Sequence, residues 1–417
     1  MKKVLLIIFL FTLVTSTATL TTELKSQSEG QRLNYLETEF SKLNRLKITG
    51  YVQAQWQLAE TKGIDGFQDG GKFNNNTINR FMLRRGHLKF TYTSGIAQIV
   101  FLPNLTEKGV SIKDAYLNLS APNKYISGRL GLFTVPFGYE INTASSVLES
   151  PERSRMFVSF FPNIRDLGAM LILDGQDVVP GLKLEAGFFS GNGIGAETDS
   201  RKDFAGRLIY EKKIKNSKLG AICSYYNGGV LNPVDTNYVF SKDNGFTTKT
   251  GDVSKTYELR QYFGIGFSFT TSSSIGNTKL TAEYLFGSQP GTKTANNNPA
   301  GTSFGNGTAP IYLRDFNGYY AMLVQDIGKT PHSIVLKYDY YDPNTKISGD
   351  DIGLLAGTGA ADIAYQTIGA GYIFDLSNNI RLSAYYNIPI NEKSINLQEY
   401  DKRIKQSILT LRTQVKF

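Results

Sequence analysis

The densest group of chemically able side chains lies between Gly138 and Leu167. Glu140, Glu149, Glu152, Arg153, Arg155, Arg165 and Asp166 share that stretch with Phe157, Phe160, Phe161 and Pro162. Arginine suits oxyanions because its planar guanidinium holds two oxygens at once. Arg153, Arg155 and Arg165 are therefore candidate anion-binding groups, and Arg85, Lys89 and Arg129 join them from other parts of the chain. A competing reading pairs Arg153 with the adjacent Glu152 and Arg165 with Asp166, as salt bridges that only fix a loop. Covalent chemistry has little to work with. His87 and His332 are the only histidines, one alternating with Lys89 and the other following Pro331 in a short turn. Neither reads as a base beside a nucleophile. Metal-ligand spacing of Cys or His and a phosphate-cradling Walker motif are both missing, and Asp350-Asp351 reads as a solvated pair. The expectation is binding and passage rather than catalysis, with no cofactor and no metal.

Residues of this kind need a scaffold, and the scaffold reads as strands. The chain closes on SILTLRTQVKF, where Leu409, Leu411 and Val415 alternate with Arg412, Gln414 and Lys416. In YVQAQWQLA, Val52, Ala54, Trp56 and Leu58 alternate with Gln53, Gln55 and Gln57. A period of two gives each strand one apolar and one polar face. Three glutamines on one face would be odd in a packed core and suit a wet lumen. About sixteen such segments begin near residues 47, 78, 96, 109, 125, 168, 181, 203, 217, 256, 275, 311, 331, 363, 379 and 404. Long connections at 60–77, 138–167, 228–255, 287–310, 342–362 and 391–403 alternate with short ones such as SAPNK and DLSNN. That alternation, an even strand count and 24 Tyr with 26 Phe predict an all-β fold, a transmembrane antiparallel barrel of about sixteen strands. SILTLRTQVKF would pair with the first strand near Tyr51 and leave no free edge. The Gly138–Leu167 connection is too long for an empty surface loop. Folded into the lumen, its phenylalanines would pin it to the wall while its arginines face water. Arg84-Arg85 breaks the alternation, so one of the two must face lipid, sit at an interface or mark a bulge.

The first residues, MKKVLLIIFLFTLVTSTA, have a charged start, a short apolar run and a small-residue site, which predicts a signal peptide over 1–18. Residues 19–46 read as a periplasmic segment with a short helix, because Leu33, Leu36, Phe40, Leu43 and Leu46 recur at helical steps. That helix either rests on the barrel rim or joins subunits as a coiled coil. The barrel itself is placed at 47–417. Cys223 is the only cysteine, which excludes an intrachain disulfide. The net charge of +9, or +7 without Lys2 and Lys3, fits anionic solutes or lipid better than nucleic acid in an exported chain.

Several stretches resemble the phosphate-selective porin (porin O and P) family of Gram-negative outer membranes. They are ITGYVQAQWQ, FMLRRGHLKF, VSIKDAYLNL, GRLGLFTVPFGYE running into ERSRMFVSFFPNIRDLGAML, and LRTQVKF. The resemblance implies a trimeric sixteen-stranded channel with an inward-folded third loop (138–167) in the outer membrane. The expected function is passive diffusion of small hydrophilic solutes with a moderate preference for anions, including phosphate or other oxyanions. A phosphate channel of this family would carry a lysine cluster, and 138–167 contains no lysine. The alternative is a surface receptor or adhesin that the barrel only anchors. By parity the lumenal faces carry ten basic residues (Arg85, Lys89, Arg129, Lys183, Arg207, Arg260, Lys279, Lys337, Arg381 and Arg412) against six acidic ones, a balance that leans towards anions.

Overall fold

The computed structural model describes residues 29–417 except 44, 163, 176–177, 196, 198, 233, 250–255 and 297–308. The predicted signal peptide therefore lies outside the described residues. Helix α1 (Glu29–Leu43) leads into β1 (Leu46–Ala59) and leaves Leu33, Leu36 and Phe40 exposed. Then follow β2 (Asn79–Ser94), β3 (Ala97–Thr106), β4 (Gly109–Ser120), β5 (Ile126–Thr134), a six-residue helix α2 (Arg155–Phe160) and β6 (Arg165–Asp174). The chain continues through β7 (Leu182–Phe189), β8 (Asp203–Ile214), β9 (Ser217–Leu231), β10 (Asn237–Ser241), β11 (Gly245–Thr248) and β12 (Tyr257–Ser273). It ends with β13 (Gly276–Gly291), β14 (Ile311–Asp326), β15 (His332–Asp342), β16 (Tyr365–Asp375), β17 (Ile380–Asn391) and β18 (Ile408–Lys416).

Sixteen of these strands form a closed antiparallel wall, in which β9 pairs with β12 and β1 pairs with both β2 and β18. The seam joins Tyr51 to Lys416 and Ala59 to Ile408, so the chain's last strand leaves no open ladder beside its first. Outside, Val52, Phe101, Phe188, Ile265, Leu336 and Leu411 are exposed. So extensive an apolar exterior is unlike that of a soluble monomer and matches the lipid-facing band of a membrane barrel. Inside, Gln53, Gln55 and Gln57 are buried.

Three sequence expectations shift. β6 begins at Arg165 rather than near 168, because Arg165 already pairs with Thr134. β18 begins at Ile408 rather than near 404, because Arg403 and Ser407 are held by the Glu60 carboxylate (Arg403 Nη2 at 2.9 Å, Ser407 Oγ at 2.7 Å). The connection placed at 228–255 contains the β10–β11 hairpin, whose first strand pairs with β14 in parallel over three residues. The hairpin's Phe246 packs edge-on against Tyr312 beside Ile347, Ile352 and Ile363, building an apolar platform at the long-loop end.

Candidate functional site

The connection from β5 to β6 runs through the lumen, and the side chains that hold it there come from opposite walls. On one side Glu152 accepts hydrogen bonds from three arginines. Arg84 Nε and Nη2 lie 2.8 Å from its two oxygens, Arg85 Nη2 lies at 2.7 Å and Arg412 Nη2 at 2.8 Å. The three glutamines of β1 complete the frame. Gln53 Nε2 donates to the Ser145 carbonyl (3.0 Å) and its Oε1 receives Arg85 Nη1 (3.0 Å). Gln55 Oε1 receives Arg412 Nε (2.9 Å), and Gln57 Nε2 donates to the Asp69 carbonyl in the first loop (2.9 Å).

Across the lumen, the Glu283 carboxylate accepts the backbone N–H groups of Tyr139 and Glu140, both at 2.7 Å, and the Tyr320 hydroxyl at 2.9 Å. Lys337 Nζ donates to Glu140 (2.5 Å), whose other oxygen accepts the Ser154 N–H (2.9 Å). Gly138 sits at the bend with φ +55°, and a Cβ there would come within 2.4 Å of Glu283 Oε2, so only glycine fits. The phenylalanines then pack the far side. Phe160, fully buried, lies 4.0 Å from Phe316 and 5.1 Å from Tyr262 between ring centroids, and Phe161 meets Tyr226 edge-on at 5.9 Å.

Arg84 and Arg85 both reach the lumen because β2 bulges. The register steps from Gln53↔Arg85 to Ala54↔Leu83, leaving Arg84 without a partner residue across the ladder. A second bulge does the same for Lys113. Leu102 pairs with Asp114 and Pro103 with Ile112, so Lys113 and Asp114 both line lumenal cavities. Parity alone had put only Asp114 inside. The missed signal was Pro103, because a proline inside a strand marks an edge or a bulge.

Between the loop and strands β1–β6 lie two cavities. The upper one, towards the long loops, has about 310 Å³ and the lower one about 480 Å³. They share His87, Ser145, Arg153, Ile164 and Arg165, which form the neck between them. The His87 ring is fixed by the Tyr51 hydroxyl at 2.8 Å. Together the two linings carry seven basic side chains (Arg84, Arg85, Lys89, Lys113, Arg153, Arg165, Lys416) against the carboxylates of Asp114 and Glu152.

Of the six residues singled out from sequence, four line these cavities. Arg153 donates to the carbonyl oxygens of Glu140 (3.0 Å) and Thr143 (2.6 Å), Arg165 pairs with Asp114 (3.0 Å), Arg85 stands by Glu152, and Lys89 borders the lower cavity. The pairings suggested by adjacency do not form. Glu152 serves Arg84, Arg85 and Arg412, and Asp166 accepts the Gly191 N–H at 2.8 Å. Arg155 lines neither cavity. It is sandwiched between Phe67 of the first loop (4.3 Å) and Tyr365 (3.8 Å) and is only 7 % exposed. Arg129 stacks on Tyr116 at 4.5 Å and donates to Asn118, away from the neck.

No protein-family model matches the chain, and no curated protein matches it in sequence. Its fold is that of outer-membrane porins. OprB of Pseudomonas putida, in a high-pH structure, superposes with a TM-score of 0.59 at 10% identity, covering 92% of this chain and 97% of that one. The anion-selective porin of Comamonas acidovorans matches with a TM-score of 0.51 at 12% identity, over 89% and 99%. OmpT of Vibrio cholerae in its trimer form gives 0.52 at 8% identity, again over 89% and 99%.

Proposed function

We propose that this chain is a porin of a Gram-negative outer membrane, a water-filled channel for passive diffusion of small hydrophilic solutes with a preference for anions. The observation that carries the preference is the lining of the two cavities, where seven cations face two side-chain carboxylates. Charge lining the narrowest part of an aqueous pore sets which ions enter it. The long loops would face outwards and residues 1–18 would be removed on export. A homotrimer is supported by the exposed Leu33, Leu36 and Phe40 of α1 and by the trimeric form of the similar OmpT. Phosphate or another oxyanion is the finer form of this reading, and it goes with membership of the phosphate-selective porin family. Its support is the cluster of arginines, to which the bulge adds Lys113.

The test is the reversal potential of the protein in a planar bilayer under a salt gradient. The expected sign is that of anion preference, and Lys89→Glu with Arg165→Glu should move it towards cations. A channel that prefers cations, or one whose preference ignores both reversals, would overturn the reading. A second reading, a surface receptor, draws on the platform at the long-loop end, where Leu354 and Ile395 are exposed on loops knit by Asp350 and Asn396 (2.6 Å). Complete absence of current would favour it.

A further inference from the structure

The upper cavity has two unlike walls. One is cationic: Lys113, half-buried and brought in by the Pro103 bulge, stands with Arg165 beside the locked Arg84 and Arg85. The other is apolar, and it is not hidden. Phe67, Val158 and Ile164 are half-exposed and Pro162 is exposed, while the larger Phe157 and Phe161 lie buried behind them. These four side chains keep hydrocarbon in contact with the cavity, opposite its cations. Ile164 does so at a backbone cost. It sits at the neck with φ +52°, a region that β-branched residues rarely enter unless their surroundings impose it.

We propose that this cavity is a binding site for small organic anions that carry an apolar body, such as aromatic or branched carboxylates, in preference to inorganic oxyanions. The inference rests on the anion preference proposed above and names the class of solute within it. An inorganic oxyanion is hydrated on all sides, and an apolar wall offers nothing in place of the water it would have to shed. An organic acid can turn its carboxylate to Lys113 and Arg165 and lay its apolar face on Ile164, Val158 and Phe67, so that only apolar hydration is lost on that side. The volume, about 310 Å³, is at the small end of the roughly 300–1,000 Å³ usual for such sites, so it suits a single ring or a short branched chain.

The experiment is block of chloride current through the full-length protein by benzoate, acetate and inorganic phosphate at matched ionic strength. Half-block by benzoate is expected at roughly tenfold lower concentration than by acetate or phosphate. Ile164→Asn should erase most of the benzoate advantage while leaving acetate unchanged, and it should fold well because asparagine tolerates positive φ. Val158→Asn is the second variant on the same wall. Lys113→Gln should weaken benzoate and acetate alike. An anion-preferring channel that benzoate and acetate block equally would overturn this inference and leave the proposed function standing, as would a benzoate advantage untouched in both wall variants. Loss of anion preference itself would instead overturn the function on which the inference depends.

Discussion

The two sides of the lumen use the same residue types to opposite ends. Along β8–β9 and β12–β16, the fully buried arginines are matched. Arg260 and Arg314 are both fully buried, the first paired with Asp203 and the second with Asp362 at 2.8 Å. Tyr226, Tyr262 and Phe316 fill the space between them and the loop. Along β1–β6 the cations outnumber the carboxylates and line water-sized space. Removing a charge from water costs more than most surface pairs return, so the fully buried Arg260 and Arg314 each need a carboxylate. A hydrated arginine need not have one, and its field remains available to a passing ion. The third loop creates the difference, because its phenylalanines close one side and its Glu152 braces the other.

The most severe way to break the comparison is to unmatch a pair on the packed side. Asp203→Ala takes the carboxylate from the buried Arg260 guanidinium, which keeps the Gly191 carbonyl (3.2 Å), and also deprives the Tyr226 hydroxyl and the Gly229 N–H (3.1 Å) of their acceptor. The expected loss is about 3–5 kcal/mol, measured as urea unfolding of the refolded barrel. The double change Asp203→Leu with Arg260→Met should recover most of it. Next in size is Phe160→Ala, at about 3 kcal/mol from the cavity it opens among Phe316, Tyr262 and Tyr341. That variant should also raise single-channel conductance, since the loop loses its anchor on the closed side. A destabilised barrel of unchanged conductance would mean that the phenylalanines do not set the loop's position.

The first loop offers a smaller, pH-dependent effect. Asp69 is buried, its Oδ2 accepts Asn387 Nδ2 at 2.9 Å, and burial lifts its carboxyl to about 6. A carboxyl raised in the folded state favours that state in acid. The gain is complete below the ordinary value of 3.8 and is lost as pH rises through about 6. Between pH 7 and pH 5 the docked loop should gain about 1 kcal/mol, seen as slower proteolysis of residues 60–78. Asp69→Asn should flatten that dependence. Protection that grows as pH rises would contradict the assignment.

Much of this was legible in the chain, and the parts that were not share a cause. Period two on β1 and β18 gave the wall, the lumen and the seam, because strand parity is a local property. Arg84-Arg85 announced its bulge by breaking that parity. Lys113 was hidden because its own strand alternates cleanly and the irregularity is carried by Pro103 on the neighbour. The loop's ion pairs were hidden for a different reason. Adjacent side chains in an extended segment point apart, so Glu152 turns from Arg153 to partners 68, 67 and 260 positions away. Arg155 looked like a pore residue because nothing near it in sequence shows that Phe67 and Tyr365 converge on it.

The gentlest test touches the open side alone. Glu152 is the one side-chain carboxylate in the lining of the upper cavity among the described residues, and it offsets part of the charge of Arg84, Arg85 and Arg412. Glu152→Gln keeps the side-chain volume and deletes the offset, at the cost of one oxygen acceptor for the three arginines. One unit charge about 6 Å from the ion path in a water-like medium is worth about 0.7 kcal/mol to an anion and as much with opposite sign to a cation, roughly tenfold in the anion-to-cation permeability ratio. Glu185→Gln makes the same charge change where the carboxylate is held by Lys183 and Arg207, outside both cavities, and should leave the ratio nearly unmoved. Equal shifts from the two variants would mean that the path responds to the net charge of the barrel, and that the division of its lumen does not govern selectivity. A shift from Glu152→Gln alone, weakened by added salt, would place the selecting field at the neck.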